Sequence, residues 1–347
     1  MHYRLNAKLY MDLARKEVAD FVGADVDNLF LVPNATTALN CVVKSYPFAK
    51  GDAILDTTWT YGSVYLLCED LTTRIRPDVE RVKLELTFPC SGPEEIIKKY
   101  EETFQKHPNI KMAVIDHITS PSSVVLPIKE LVELCHRHGA LAVIDGAHSV
   151  GQIPLNLTEL GADFFTSNLH KWCYCPRGSA LLYCAPQHTS WLHPTNTSWH
   201  LGGSLDMEFF DLGTRDHVPF YCARNAIQFY KALGGMEKIV GYTTGLAEQA
   251  KQLFEKDLGL THLDIPASME APNMKMLKLP PFRDFPYCPE NTWKLMEALF
   301  GNTKIFGILT PVEGAFYFRY SVQIYNDMDD IRAAADVIKA FMRKHAA

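Results

Sequence analysis

Leu141-Ala-Val-Ile-Asp-Gly-Ala-His148 is a short apolar run that closes on an aspartate and a glycine, and 26 residues after Asp145 stands Lys171, within Asn168-Leu-His-Lys-Trp172. A continuous apolar run of this length, bounded by a turn residue, reads as a strand buried on both faces. Asp145 therefore sits at the carboxyl end of a buried strand. Phe164-Ser167 reads as a second such strand, so Lys171 follows a strand end as well. An aspartate before a glycine ordinarily caps a turn, and a lysine is ordinarily solvated. A lysine behind a strand, flanked by His170 and Trp172, keeps different company.

Outward from this pair the pattern repeats. Leu29-Val32, Ala53-Asp56, Val82-Leu86, Met112-Asp116 and Ala180-Tyr183 read as strands. They alternate with helical patterns over Thr36-Ser45, Gly62-Leu71, Pro93-Lys106 and Ile128-His138. Alternation predicts an α/β fold with a mostly parallel central sheet covered by helices on both faces. In such sheets ligands sit beyond the carboxyl ends of the strands. Upstream, Tyr10, Ala14, Val18 and Phe21 recur at helical spacing, and Gly23 is placed to stop that helix.

The expected organisation is a large domain over residues 1–240 and a smaller C-terminal α+β domain over 241–347. Residues 255–310, richer in proline and lysine, show no strong periodicity and are read as the crossing between them. Farther on, Phe316, Phe318, Tyr320, Val322 and Ile324 alternate with Tyr317, Arg319, Ser321, Gln323 and Tyr325, which predicts a half-buried strand. Asn326 is the expected N-cap of a last helix with Asp329 in its first turn and Ile331, Ala335, Ile338 and Phe341 facing inward.

Composition narrows the function classes. The 347 residues are 47% hydrophobic and 21% charged, with a net charge of −6, which gives no reason to expect nucleic acid or an anionic membrane as a partner. No apolar run approaches the ~18 residues of a membrane span. Nine cysteines without framework spacing predict free thiols in a reducing compartment, with the cytoplasm as the expected location. Cys173 and Cys175 have no second pair to complete a zinc site, and Cys135-His-Arg-His138 reads as a basic helix end, so no metal is expected.

The strand-end pair suits one chemistry well. Pyridoxal 5'-phosphate (PLP) needs a lysine to hold its aldehyde as a Schiff base and a carboxylate to keep the pyridine nitrogen protonated, so that the ring withdraws electrons. Asn34-Ala-Thr-Thr37 links a strand to a helix and offers backbone N–H groups and two hydroxyls to a phosphate. Tyr61 or Trp59, in Thr58-Trp-Thr-Tyr-Gly62, is placed to stack on the ring, and His148 to reach the ring hydroxyl or the substrate.

Taken together, Asp-Gly-Ala-His at 145–148, His-Lys at 170–171 and Gly-Thr-Arg-Asp at 213–216 resemble, in order and spacing, the class V aminotransferase family of fold-type I PLP enzymes. The resemblance runs from about residue 7 to the C-terminus. It implies that Lys171 carries the cofactor, Asp145 pairs with the pyridine nitrogen, and His148 and Ser120 lie near the ring oxygen. Tyr61 occupies the place of a ring-stacking histidine in cysteine desulfurases of the family. Thr36, Thr37 and His170 would hold the phosphate, and Thr214 would reach it from a second subunit of a homodimer that shares its active sites. Arg319 in Arg-Tyr-Ser would anchor the α-carboxylate of an amino-acid substrate. Family members usually carry a further N-terminal segment that lines the substrate pocket, and this chain begins at the helix that follows it.

His-Lys-Trp, Pro176-Arg-Gly-Ser179 and Asp116-His-Ile-Thr-Ser-Pro121 resemble the isopenicillin N epimerase-like branch, which includes the ergothioneine-pathway carbon–sulfur lyases. Only Cys288 lies where a desulfurase keeps its nucleophile, without the surrounding pattern, so desulfuration is disfavoured. The expected activity is a carbon–sulfur lyase on a cysteine conjugate, with Lys171, Tyr61 and Asp145 as the catalytic set. An amino-acid epimerase, an aminotransferase and a PLP-binding isoform without turnover are the alternatives.

Overall fold

The computed structural model describes residues 2–345 and divides into two compact units. The first comprises the chain up to Leu86, Pro93–Ile118 and Leu126–Met236; the second comprises Thr87–Gly92, Thr119–Val125 and Glu237–Ala347.

The first unit is built on seven strands: β1 (Leu29–Val32), β2 (Ala53–Thr57), β3 (Glu80–Leu84), β4 (Ile110–Asp116), β5 (Leu141–Asp145), β6 (Phe164–Ser167) and β7 (Ala180–Cys184), in the order β1-β7-β6-β5-β4-β2-β3. The five strands from β6 to β3 are parallel, and β7 runs against both of its neighbours. Every residue of β1, β2, β6 and β7 is buried, as the unbroken apolar runs require of strands covered on both faces. The sequence reading placed β3 two residues late, because Glu80 is exposed and Arg81 half-buried and the apolar pattern starts only at Val82.

Helices α1 (His2–Val22), α2 (Ala35–Ser45), α3 (Gly62–Asp70), α4 (Pro93–Lys106) and α5 (Ile128–Arg137) are followed by the short α6 (Leu157–Leu160), α7 (Leu169–Trp172) and α8 (Leu205–Phe210) and then by α9 (Val218–Ala232). Gly23, at φ +65°, ends α1 where the sequence places it. The inner face of α1 is Met11, Ala14, Val18 and Val22, whereas Tyr10 is 41% exposed and lies beside Tyr221 of α9 at 5.7 Å.

The second unit holds β8 (Met274–Lys278), β9 (Ile308–Val312) and β10 (Ala315–Ser321) as an antiparallel sheet in the order β8-β10-β9. With it go α10 (Gly235–Leu258), whose first two residues belong to the first unit, α11 (Thr292–Phe300) and α12 (Met328–His345). Phe316, Phe318 and Tyr320 enter a core with Phe254, Leu277, Leu299 and Ile338, so the alternation read from sequence holds through Ser321. It stops there. The Val322 N–H turns to the Asn273 carbonyl, and Asn326 Oδ1 accepts the Gln323 N–H at 3.0 Å, which makes a turn of the stretch expected to continue the strand. The cap of α12 is Asp327, not Asn326: its Oδ1 accepts the N–H groups of Asp329 at 2.8 Å and Asp330 at 3.2 Å. Residues 255–310, read from their weak periodicity as a crossing between domains, contain β8, α11 and the start of β9, because short strands stabilised by cross-strand partners need no strong periodicity.

One glycine in the first unit is fixed by space. A Cβ on Gly146, directly after β5, would overlap the Phe165 ring of β6. Gly146→Ala is expected to lower stability by roughly 1–3 kcal/mol through overpacking, read as a lower urea midpoint at unchanged slope.

Candidate active site

Asp145 is the last residue of β5, 3% exposed, with one carboxylate oxygen accepting the Ala147 N–H at 3.0 Å. Burial raises its pKa, and the Ala147 N–H and the positive Lys171 pull it back. The turn after Asp145 brings His148 under α7. There His148 Nε2 lies 2.8 Å from Lys171 Nζ, and the Trp172 indole N–H donates to His148 Nδ1 at 3.4 Å. An imidazole that accepts at Nδ1 carries its proton on Nε2. That nitrogen faces the lysine. The unusual neighbours His170 and Trp172 thus divide their work: Trp172 sets the tautomer of His148, and His170 faces elsewhere.

His170 donates from Nδ1 to the Ser179 carbonyl at 2.8 Å. Burial lowers its pKa, and the nearby Lys171 and Arg177 charges lower it further. At the start of α2, Asn34 Oδ1 caps the helix by accepting from the Thr37 N–H at 2.8 Å and the Thr37 hydroxyl at 3.1 Å. Asn168 Oδ1 accepts the Ala35 N–H at 3.0 Å. Side chains therefore hold two of the N–H groups that the sequence reading offered to an anion, while Thr36 Oγ1 meets Ser63 Oγ at 3.1 Å. Asn168 and Ser63 were missed from sequence, since each is a common turn residue whose partner is more than twenty positions away.

Of the two aromatic candidates, Trp59 is core at 5% exposure, and Tyr61 stands 45% exposed as the residue before α3. Asp116, also missed, ends β4 beside Asp145 in the parallel register. Burial and the Asp145 charge together raise its pKa well above the carboxylate range. The same signal that marks Asp145, a carboxylate closing an apolar run, was available for it. Thr214 is exposed and follows Gly213 at φ +89°.

Ser120 and Arg319 belong to the second unit. Arg319 Nη1 donates to the Ser120 carbonyl at 2.5 Å and to its hydroxyl at 3.1 Å, so the arginine is not the solvated charge that the strand alternation alone implies. All nine cysteines are free thiols, and burial pushes Cys175 up to about 12. His136 and His138 bind carboxylates, Asp163 at 2.9 Å and Glu101 at 3.0 Å.

A buried strand-end carboxylate and a lysine near it suit a cofactor with a protonated ring nitrogen and an aldehyde. The comparisons agree. The family model for aminotransferase class V matches residues 1–276. The chain belongs to the class V aminotransferase family. It is 31% identical to a probable chloroplastic L-cysteine desulfhydrase of Arabidopsis thaliana, over 97% of this chain and 76% of that one. It is 26% identical to hercynylcysteine sulfoxide lyase of Schizosaccharomyces pombe, over 96% and 84%. The chain spans about half the length of two further plant relatives, 50% and 53%. Among solved structures, the apo cysteine desulfurase of Thermococcus onnurineus NA1 superposes with a TM-score of 0.78 at 20% identity, covering 97% of this chain and 85% of that one. The fold is that of fold-type I PLP enzymes, and the cofactor of this enzyme is PLP. Among the described residues, no helix is long and apolar enough to cross a membrane.

The buried His117, next to Asp116, has its pKa lowered by burial to about 3. A histidine whose folded pKa lies below its unfolded value of roughly 6.5 stabilises the fold above that value and loses the contribution as pH falls. Unfolding free energy should therefore decline from pH 6.5 toward 3, and His117→Gln should flatten part of that decline in urea melts at stepped pH.

Proposed function

We propose that this protein is a homodimeric PLP-dependent carbon–sulfur lyase acting on a cysteine conjugate. The observation that carries the reading is the 2.8 Å approach of Lys171 Nζ to His148 Nε2, close to the buried Asp145 carboxylate. Lys171 is proposed to hold the cofactor and Asp145 to face its ring nitrogen. Thr36, Thr37 and His170 are proposed at the phosphate, with Thr214 supplied by the second subunit; the exposure of Thr214 supports that role. Tyr61 is proposed to stack on the ring, and His148 and Ser120 to lie near the ring oxygen. The free thiols support a reducing compartment, proposed to be the cytosol.

Bound PLP supplies an electron sink at the substrate α-carbon. Asp145, kept from water, holds the negative charge that this sink requires. Arg319 binds the α-carboxylate with its two-pronged guanidinium, and Ser120 orients the arginine through Nη1. Lys171 as an amine takes the α-proton, with His148 holding the nitrogen in place. The sulfur on the β-carbon then leaves with the electrons of the broken bond. The relationship to L-cysteine desulfhydrase and hercynylcysteine sulfoxide lyase relatives supports sulfur as the leaving group.

Mixed with L-cysteine or a cysteine-conjugate sulfoxide, the purified protein should release keto acid and a sulfur product in equal amounts. Keto acid without sulfur, or inversion at the α-carbon without either, would count against the lyase. Lys171→Ala should abolish the visible cofactor band, and Asp145→Ala should bind PLP without turnover. Arg319→Ala should keep the band and raise KM by about tenfold or more, the loss expected for a charged hydrogen-bond pair.

A further inference from the structure

Arg319 donates to the carbonyl of Ser120 as well as to its hydroxyl. The backbone of the Ser120 turn, and not a side chain alone, therefore sets where the guanidinium points. Residues Thr119–Val125 belong with Arg319 to the second unit. From outside, the turn is tied by the Val125 N–H to the Met269 carbonyl at 2.8 Å and by the Ala271 N–H to the Ser123 carbonyl at 3.2 Å. From within, Thr119 closes it. The Thr119 N–H donates to the Val124 carbonyl at 2.9 Å, and the Ser123 N–H donates to the Thr119 carbonyl at 2.9 Å. Thr119 Oγ1 accepts the Val124 N–H at 2.8 Å, meets Ser122 Oγ at 2.8 Å and lies 3.3 Å from the Val124 carbonyl. Thr119 and Val124 are fully buried and Ser122 nearly so, so solvent is not at hand to replace that hydroxyl. Ser123 stands at φ +58°, a backbone conformation that a side chain-bearing residue rarely adopts unless its surroundings impose it.

We propose that Thr119 is a positioning residue for recognition of the substrate α-carboxylate. Its hydroxyl fixes the 119–124 turn, and the turn holds Arg319 through Ser120 in the pose that accepts a carboxylate. The inference rests on the reading of Arg319 as the α-carboxylate anchor. Valine matches threonine in outline but sets a methyl against a buried N–H and a buried hydroxyl, which costs more than the loss of one hydrogen bond. Serine keeps the oxygen. Serine should therefore replace Thr119 where valine should not.

The test uses the holoenzyme and two probes, L-alanine and ethylamine, which share the amine and differ by the carboxylate. Binding is read from the change each causes in the visible cofactor band, for wild type, Thr119→Val and Thr119→Ser, with Arg319→Ala as the reference. Thr119→Val should weaken L-alanine binding by about tenfold, the worth of a hydrogen bond to a charged partner, and leave ethylamine within about twofold. KM for the turned-over substrate should rise by a similar factor, with kcat within about threefold. Thr119→Ser should stay within about threefold of wild type for both probes. In the Arg319→Ala background, Thr119→Val should cost less than about twofold more, because residues acting through one group are not additive. Unchanged L-alanine binding in Thr119→Val, equal loss of both probes, equal damage in Thr119→Ser, or an undiminished effect in the Arg319→Ala background would each overturn the proposal. If the valine variant does not fold, Thr119→Cys, with its weak acceptor, takes its place with the same expectation. An Arg319→Ala variant that binds L-alanine as wild type does overturns the anchor reading itself, and is distinguished by involving no change at Thr119.

Discussion

The hydrogen bond between His148 Nε2 and Lys171 Nζ depends on three elements meeting at one place. The end of β5 delivers Asp145 and then His148, and α7 after β6 delivers the lysine. Trp172 fixes the imidazole from its second nitrogen. Gly146 lets the turn after β5 pass against the Phe165 ring, where no side chain fits. Without that close passage His148 would not lie against α7, and the lysine would lose this partner.

Burial does the electrostatic work around this contact. Asp145, Asp116 and His117 all sit where water is excluded, and each is displaced toward its neutral form. Lys171 and the Ala147 N–H favour the charge on Asp145. A positively charged ring nitrogen would add to that preference. Asp116 and Asp145 stand side by side at these dry strand ends.

The second unit contributes differently. Its sheet presents Arg319 from β10 with Ser120 on one guanidinium nitrogen, and the Phe316, Phe318 and Tyr320 side of the same strand anchors it in the core. An arginine held from its own unit pays less entropy on binding a carboxylate than a solvated one.

The sequence by itself determined the α/β alternation, the strands that end on Asp116 and Asp145, the His-Lys pair and the family, because periodicity and ordered motifs are local properties of the chain. Local sequence offered Tyr61 or Trp59 at the ring, and the family resemblance singled out Tyr61, which is the exposed one of the two. It misjudged the end of β10 and the cap of α12, where side-chain and backbone hydrogen bonds from Asn273, Asn326 and Asp327 outweigh the alternating pattern. Only the tertiary structure decided that Asp116 stands beside Asp145, that Thr36 meets Ser63, and that Asn168 accepts the Ala35 N–H at the start of α2. Each of those contacts joins residues from 27 to 133 positions apart, and strand order, which brings them together, is set by packing of the whole sheet and not by any stretch of its sequence.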